Sequence, residues 1–266
     1  SEAGARRPRG FGGKDQAGWH DYADAWLEGH LGRFLDYGCG PGAMLKRVMH
    51  RTDEAWGVDV DGDALPQGLA GAQVRAIRSG EPLPFEDETF DTIAILEVIE
   101  HVSNERATLT ELTRVLKPGG RLILTTPHKG LLTFLDPGNA KFVAPKVHRL
   151  IHRYILRNPE YYSARFGGER QEQTGMIGDF TTDQDCWHRH YRYSEIRALA
   201  PEALKTVGWA AYFPGMRLCW CAHLGAKVLS RGRYTGTPWP FGAFSRWASH
   251  QETLLGDQLV VLFRKA

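Results

Sequence analysis

The sequence predicts an α/β protein: a mostly parallel sheet with helices on both of its faces. Two observations lead there. Strand-like and helix-like patterns alternate from residue 33 to residue 126, and such alternation builds a parallel sheet covered by helices. The strand Arg33 to Tyr37 also runs through an acidic residue into a glycine turn, Asp36-Tyr37-Gly38-Cys39-Gly40-Pro41-Gly42, which opens into a helical pattern from Ala43 to His50. Strand, glycine turn and helix together bring bare backbone against a ligand at the carboxyl edge of a sheet.

The elements follow in order. Gln16 to Gly29 reads as a helix with Trp19, Tyr22, Ala23, Trp26 and Leu27 on one side. Strands are predicted at about 33–37, 55–59, 73–78, 91–97 and 121–126. The clearest helix covers 103–117, with Ser103 or Asn104 as its cap and Pro118-Gly119 as its stop. Two more strands are predicted near 207–213 and 257–264. The chain is interrupted twice, at about 128–205 before the first of these two and at about 214–256 between them, and stretches this long hold helices of their own. Insertions in open α/β sheets rise over the carboxyl edge, so both read as a substrate lid.

The glycine turn alone leaves two ligands open, because Gly38, Gly40 and Ala43 also fit the G-x-G-x-x-A spacing of dinucleotide-binding folds. Asp36 separates them: a carboxylate repels a pyrophosphate and attracts an ammonium group. Further segments then appear in order: Gly57-Val58-Asp59, Leu83-Pro84-Phe85 through Phe90-Asp91, Glu100-His101-Val102 and Leu116-Lys117-Pro118-Gly119-Gly120. With them, residues 30 to 128 resemble the class I S-adenosylmethionine-dependent methyltransferases. The resemblance implies a Rossmann-like, seven-stranded, mostly parallel sheet whose last two strands form an antiparallel edge hairpin. It also implies S-adenosylmethionine as cofactor, and a first helix that covers it. That helix can equally be a packing helix.

Site residues follow from the resemblance and from charge. Asp36 is expected to receive the methionine amino group. Gly38, Cys39, Gly40 and Gly42 are expected to offer backbone to the methionine and ribose. Asp59, 19 residues beyond Gly40, ends a strand where a carboxylate can accept both ribose hydroxyls. The family's acidic adenine contact after the third strand is replaced here by Arg78-Ser79-Gly80-Glu81, so Ser79, Gly80 and Glu81 are the substitutes. Glu97 is placed at the end of the fourth strand, facing the cofactor.

The string Glu97-Val98-Ile99-Glu100-His101 carries the chemistry. Were the chain helical there, Glu97, Glu100 and His101 would share a face. His101, supported by Glu100, suits a general base because imidazole titrates near neutrality. The string is similar to that of ubiquinone-pathway O-methyltransferases and of enzymes that methylate the 3′ ends of small RNAs, both associated with a bound metal. A divalent ion on Glu97, Glu100, His101 and His190 is therefore the alternative to a metal-free site, since carboxylates and imidazole suit such ions.

Composition bounds the rest. Lys plus Arg is 33 and Asp plus Glu is 31, a net +2, which does not mark a nucleic-acid binder. Cys39, Cys186, Cys219 and Cys221 form no C-x-x-C pair, consistent with reduced thiols in a cytoplasmic protein. No apolar run reaches 18 residues. Residues 1–15, rich in Gly and Arg, are expected to be a disordered tail, leaving 16–266 as the methyltransferase domain. Residues 141–157 and 214–230 mix apolar and basic positions, which suits lid helices or peripheral contact with the inner face of a membrane. The reading is a methyltransferase acting at oxygen on a small-molecule or lipid-linked acceptor. Its rivals are a metal-dependent RNA ribose 2′-O-methyltransferase, a cofactor-binding module without catalysis, and a nicotinamide dehydrogenase.

Overall fold

The computed structural model describes residues 19–66, 68–78, 80–130, 145–155, 189–230, 233, 240–248, 251, 253 and 256–266. The expected tail at 1–15, Ser79, and much of the first insertion lie outside these residues. The seven strands are β1 (Arg33–Tyr37), β2 (Glu54–Asp59), β3 (Ala72–Ala76), β4 (Phe90–Leu96), β5 (Leu116–Pro127), β6 (Leu204–Pro214) and β7 (Gly256–Lys265). They form one sheet in the order β3-β2-β1-β4-β5-β7-β6. β1 to β5 are parallel, and β7 runs antiparallel to both β5 and β6. The predicted sheet and its antiparallel edge hairpin are both present.

The central strands are buried on both faces, and their residues are accordingly apolar in near-continuous runs: Phe34 and Leu35 in β1, Ile93 to Leu96 in β4, Leu122 to Leu124 in β5. Successive side chains alternate between two cores, one under each helical layer. The helix α1 (Trp19–Trp26) ends at Trp26 rather than at the predicted Gly29, its predicted start at Gln16 lies outside the described residues, and it buries Tyr22, Ala23 and Trp26. The Trp26 indole donates to the Tyr212 hydroxyl at 2.8 Å, and Tyr22 stacks on the Tyr212 ring at 4.4 Å. Those two aromatics are therefore spent on packing against β6. Trp19 stays 39% exposed.

α2 (Ala43–Val48) follows the glycine turn, and α3 (Glu105–Val115) follows β4. Asn104 caps α3, its side chain accepting from the Ala107 N–H at 2.9 Å. Beyond β5 come α4 (Pro145–Leu150), a π-helical turn (Ile151–Ile155) and α5 (Tyr193–Leu199). Tyr191, Ile196, Ala200 and Leu204 sit in the α3-side core, so the end of the first insertion is part of the framework. The second insertion holds α6 (Met216–Leu229) and α7 (Phe241–Ala248).

Chain order reverses between β1 and β4, which pair with each other while their connections run to opposite sides. That reversal opens a crevice at the carboxyl edge. Both insertions leave from the same edge, because Pro127 and Tyr212 each pair with Gln258, and Pro214 pairs with Gly256.

Candidate active site

The glycine turn at the end of β1 is held from below by β2. Gly38 and Cys39 donate their N–H groups to the Val58 carbonyl at 2.8 and 3.0 Å. Gly38, Gly40 and Gly42 all have positive φ, at 80°, 45° and 75°, where side chains are strained. The first two glycines serve different ends. A Cβ on Gly38 would meet the Val98 side chain at 2.3 Å, whereas one on Gly40 would meet nothing within 4 Å. Gly38 thus lets the turn close on the β4 edge, and Gly40 leaves bare backbone facing open space.

Two carboxylates flank this turn, in opposite states. Asp59, at the end of β2, accepts from the Gly40 N–H at 2.8 Å and from the Asp61 N–H at 2.9 Å. It pins the turn while keeping lone pairs for a ligand, since a carboxylate offers about four acceptor sites. Asp36 lies within β1, opposite Gly57 and Ala94, and is 3% exposed. Among the described residues no group donates a hydrogen bond to its side chain. Burial, and after it the neighbouring Asp59, push the Asp36 carboxyl up to about 7.

Cys39 turns inward, 6% exposed, toward the space a side chain on Gly57 would need. Burial, then Asp36 and Asp59, push its thiol up to about 12, so it is an inert core thiol, and its contribution to a ligand can only be backbone. Gly80, also at positive φ, borders a cavity of about 210 Å³ between the β3–β4 connection and the start of α3, together with Glu81 and Asn104.

The structure corrects the geometry expected of Glu97, Glu100 and His101. The chain does not enter an α-helix after β4. Glu97 adopts φ 55°, a left-handed conformation that costs a non-glycine residue energy and often marks a functional turn. Only Ile99–His101 is helical, as a single 3-10 turn, so the i, i+3, i+4 alignment is lost. Glu97 accepts from the Thr125 hydroxyl at 2.9 Å and from the Gln258 amide. It thereby ties β4 to β5 and β7. Glu100 and His101 do come together. Glu100 is buried and accepts from the Thr126 hydroxyl at 3.1 Å, and its other oxygen lies 3.9 Å from His101 Nε2. His190 sits beside Tyr191, which runs along the end of β5. Among the described residues no group of three or more His, Cys, Asp or Glu side chains is arranged to hold a metal ion. Glu97, Glu100, His101 and His190 are not gathered into such a group.

One cluster was missed entirely. His128, at the end of β5, directs Nδ1 to the Gly256 carbonyl at 2.7 Å. A carbonyl only accepts, so Nδ1 carries the proton and Nε2 keeps its lone pair. Burial chiefly, and Arg217 in part, hold this imidazole below its ordinary pKa, against the pull of the Gly256 bond. Behind it, Arg217 in the first turn of α6 and Asp257 in β7 form an ion pair, each side chain 1% exposed. Arg217 also donates to the His128 carbonyl at 2.7 Å. The available signal was a lone charge in each of two apolar runs, Met216 to Trp220 and Leu254 to Phe263.

Comparison with known proteins meets this geometry at the same residues. Residues 35–124, the stretch from β1 into β5, match the methyltransferase domain family. A ubiquinone biosynthesis O-methyltransferase of Parvibaculum lavamentivorans is 38% identical over 109 residues, covering 37% of this chain and 42% of that protein. This stretch is a methyltransferase domain of the class I S-adenosylmethionine-dependent kind. A demethylmenaquinone methyltransferase of Tropheryma whipplei is 35% identical over 130 residues, covering 46% of this chain and 48% of that one. The chain thus spans under half the length of these curated relatives. In fold, S-adenosylmethionine-dependent methyltransferases of Mesorhizobium loti and Thermotoga maritima superpose with TM-scores of 0.51 and 0.50 at 14% and 15% identity. They cover 92% and 93% of this chain and 96% and 88% of their own chains. The family implies S-adenosylmethionine as the cofactor, and the glycine turn with Asp36 and Asp59 fits it. A bare-backbone cradle suits a nucleoside, and a buried carboxylate to which no described residue donates suits an ammonium.

Proposed function

We propose that this protein transfers a methyl group from S-adenosylmethionine to a hydroxyl oxygen of a small-molecule acceptor. The observation that carries this reading is Asp36, a buried carboxylate to which no described residue donates, beside a turn stripped of side chains. Burying a carboxylate without a partner is unfavourable, so its retention at the mouth of the crevice suits a cationic ligand. Bound there, the cofactor supplies a methyl group already activated on a sulfonium sulfur. The protein's tasks are then to orient the acceptor and to take one proton.

In this reading Asp36 takes the methionine ammonium, and Gly40 and Gly42 present backbone to it. Asp59 takes the ribose hydroxyls with the lone pairs that Gly40 and Asp61 leave over. Gly80 with its neighbours Ser79 and Glu81 meets the adenine. His101 accepts the acceptor's hydroxyl proton, and the buried Glu100 stabilises the imidazolium that results. The preference for oxygen is supported by the His101–Glu100 dyad and by the names of the O-methyltransferase relatives.

The test is kinetic. Turnover is followed with labelled S-adenosylmethionine on a panel of phenolic and alcoholic acceptors. His101→Ala is expected to lower turnover about 10²–10⁴-fold, the range for losing a general base, with cofactor affinity nearly unchanged by calorimetry. A near-normal rate on a hydroxyl that is not already ionised would remove His101 from this role.

A further inference from the structure

The His101–Glu100 dyad shares the carboxyl edge with a second imidazole. His128 follows Pro127, the last residue of β5, and is 7% exposed. Its backbone is fixed on both flanks. Toward β7 and α6, its N–H donates to the Asp257 carbonyl at 2.8 Å, and its carbonyl accepts from Arg217 at 2.7 Å. On the other flank it bridges Tyr191, whose N–H donates to the Pro127 carbonyl and whose carbonyl accepts from the Lys129 N–H, both at 3.0 Å. The Tyr191 hydroxyl donates to Glu105 at 2.9 Å, so the first residue of α3 braces the same segment. The ring is held as well, by Nδ1 on the Gly256 carbonyl. Among the described residues nothing bonds to Nε2.

The strand decides which face His128 occupies. Side chains two apart on a strand lie on one face, about 6–7 Å from each other. Leu122 and Leu124 are in the α3-side core, and Thr126 and His128 continue that series toward the carboxyl edge. Thr126 donates to Glu100 at 3.1 Å, and the other Glu100 oxygen lies 3.9 Å from His101 Nε2. His128 therefore stands one step beyond the residue that carries the dyad, on the same face of the sheet.

The surroundings of the two rings divide the work between them. An imidazole that takes a proton becomes a cation, and on His101 the Glu100 carboxylate is there to stabilise it. Around His128, burial first, then Arg217 and Arg192, disfavour the cation, and the Gly256 bond and Asp257 offset them only in part. A neutral ring with a fixed tautomer accepts a hydrogen bond at Nε2 without keeping the proton. The reacting hydroxyl has one proton, so it cannot serve both rings. We propose that His128 determines acceptor specificity: its Nε2 accepts a hydrogen bond from a second O–H or N–H group of the acceptor, apart from the hydroxyl that is methylated. The proposal rests on the methyltransferase reading above and deepens it, because it makes the acceptor a molecule with two hydrogen-bond donors. An analogue without the second donor would leave Nε2 buried and unpaired, which is how a polar site rejects a substrate.

The experiment measures turnover by the full chain on pairs of acceptors that differ by one hydroxyl: resorcinol with its monomethyl ether, and salicyl alcohol with ortho-cresol. Two substitutions separate the ring nitrogens. In His128→Asn the amide still reaches the Gly256 carbonyl but offers nothing at Nε2, whereas in His128→Gln an amide reaches the Nε2 position. Wild type is expected to favour the two-donor member of a pair in kcat/KM. His128→Asn should raise the KM of that member about 10–100-fold, the range for an unmade buried hydrogen bond, and flatten the preference. Its KM for S-adenosylmethionine and its melting temperature should stay near wild type, and His128→Gln should recover part of the preference. Wild-type kinetics in His128→Asn would show that the Gly256 bond is the whole role of His128, and overturn the proposal. A rise in both KM values with a lower melting temperature in both variants would make His128 framework and overturn it too. An active wild type that prefers neither member overturns the second donor and leaves the methyltransferase reading standing. A wild type that methylates no acceptor of the panel overturns that reading, and the proposal falls with it.

Discussion

Asp36 and Asp257 are both buried acids on strands near the carboxyl edge, one on each side of the sheet, and they are buried on opposite terms. Asp257 is matched by Arg217 within the fold, and that pair joins α6 to β7 while its second arm holds the His128 carbonyl. Asp36 has a backbone ladder around it, no donor to its carboxylate among the described residues, and a second acid, Asp59, nearby. The difference teaches how to read a buried charge. Where the chain supplies the counter-charge, the acid is architecture. Where it does not, and the neighbouring backbone is stripped to glycine, the acid belongs to a ligand.

Breaking the matched side should have the larger effect. Arg217→Ala leaves Asp257 buried without its partner and is expected to cost about 3–5 kcal/mol of stability, read as a lower denaturation midpoint. Replacing both partners with apolar residues, Arg217→Met with Asp257→Leu, should recover much of that loss. If the single variant proves as stable as wild type, the pair is not architectural and the contrast with Asp36 collapses.

On the unmatched side the sign reverses. Asp36→Asn should leave the cofactor-free protein as stable as wild type, or more so, because it removes an unpaired buried charge. The same change should weaken S-adenosylmethionine binding by roughly 1.5–3 kcal/mol, the range for a charge-assisted hydrogen bond. Calorimetry and thermal melts on one preparation measure both. Asp59→Ala should match that loss of affinity and also lower the melting temperature, since Gly40 and Asp61 lose their acceptor.

The smallest effect is the most diagnostic. The folded-state pKa of Asp36, raised to about 7, lies above its unfolded value, so the folded protein holds this proton more tightly. Its contribution to stability is fully present below the unfolded pKa and is lost as pH rises through about 7. Cofactor binding favours the ionised form, so affinity should rise up to tenfold per pH unit below 7 and level off above it. Calorimetry in two buffers of different ionisation enthalpy would register the released proton. A flat profile identical to that of Asp36→Asn would show that Asp36 does not meet the ammonium.

The same contrast explains what could be read in advance. The Asp36 side is local: seven consecutive residues hold the strand end, the acid and all three glycines, and Asp59 follows at a fixed distance set by one helix and one strand. The Arg217–Asp257 side joins residues 40 positions apart across an insertion, and nothing near either one names the other. Glu97 was legible only in part, for a different reason. Its position at the end of β4 was legible within one residue, but its left-handed backbone has no signal in glutamate, and its partners Thr125 and Gln258 lie 28 and 161 residues away. Trp26 and Tyr22 were legible as a buried stripe, while their partner Tyr212 lay 186 and 190 residues away.

The placement of β7 has a consequence for the newborn chain. It is the last of the seven strands to leave the ribosome, yet it sits between β5 and β6. Until it arrives, β5 presents a bare edge with unsatisfied backbone groups and β6 has nothing to pair with. Pairing β7 with β5 also closes a span of more than a hundred residues, a slow step compared with forming the local β1–β4 half. During synthesis the cofactor half can therefore assemble while the other half waits, with an open strand edge that invites aggregation or a chaperone. A stop codon or frameshift ahead of Gly256 would leave the protein arrested at that stage, with a formed glycine turn and no closed sheet around it.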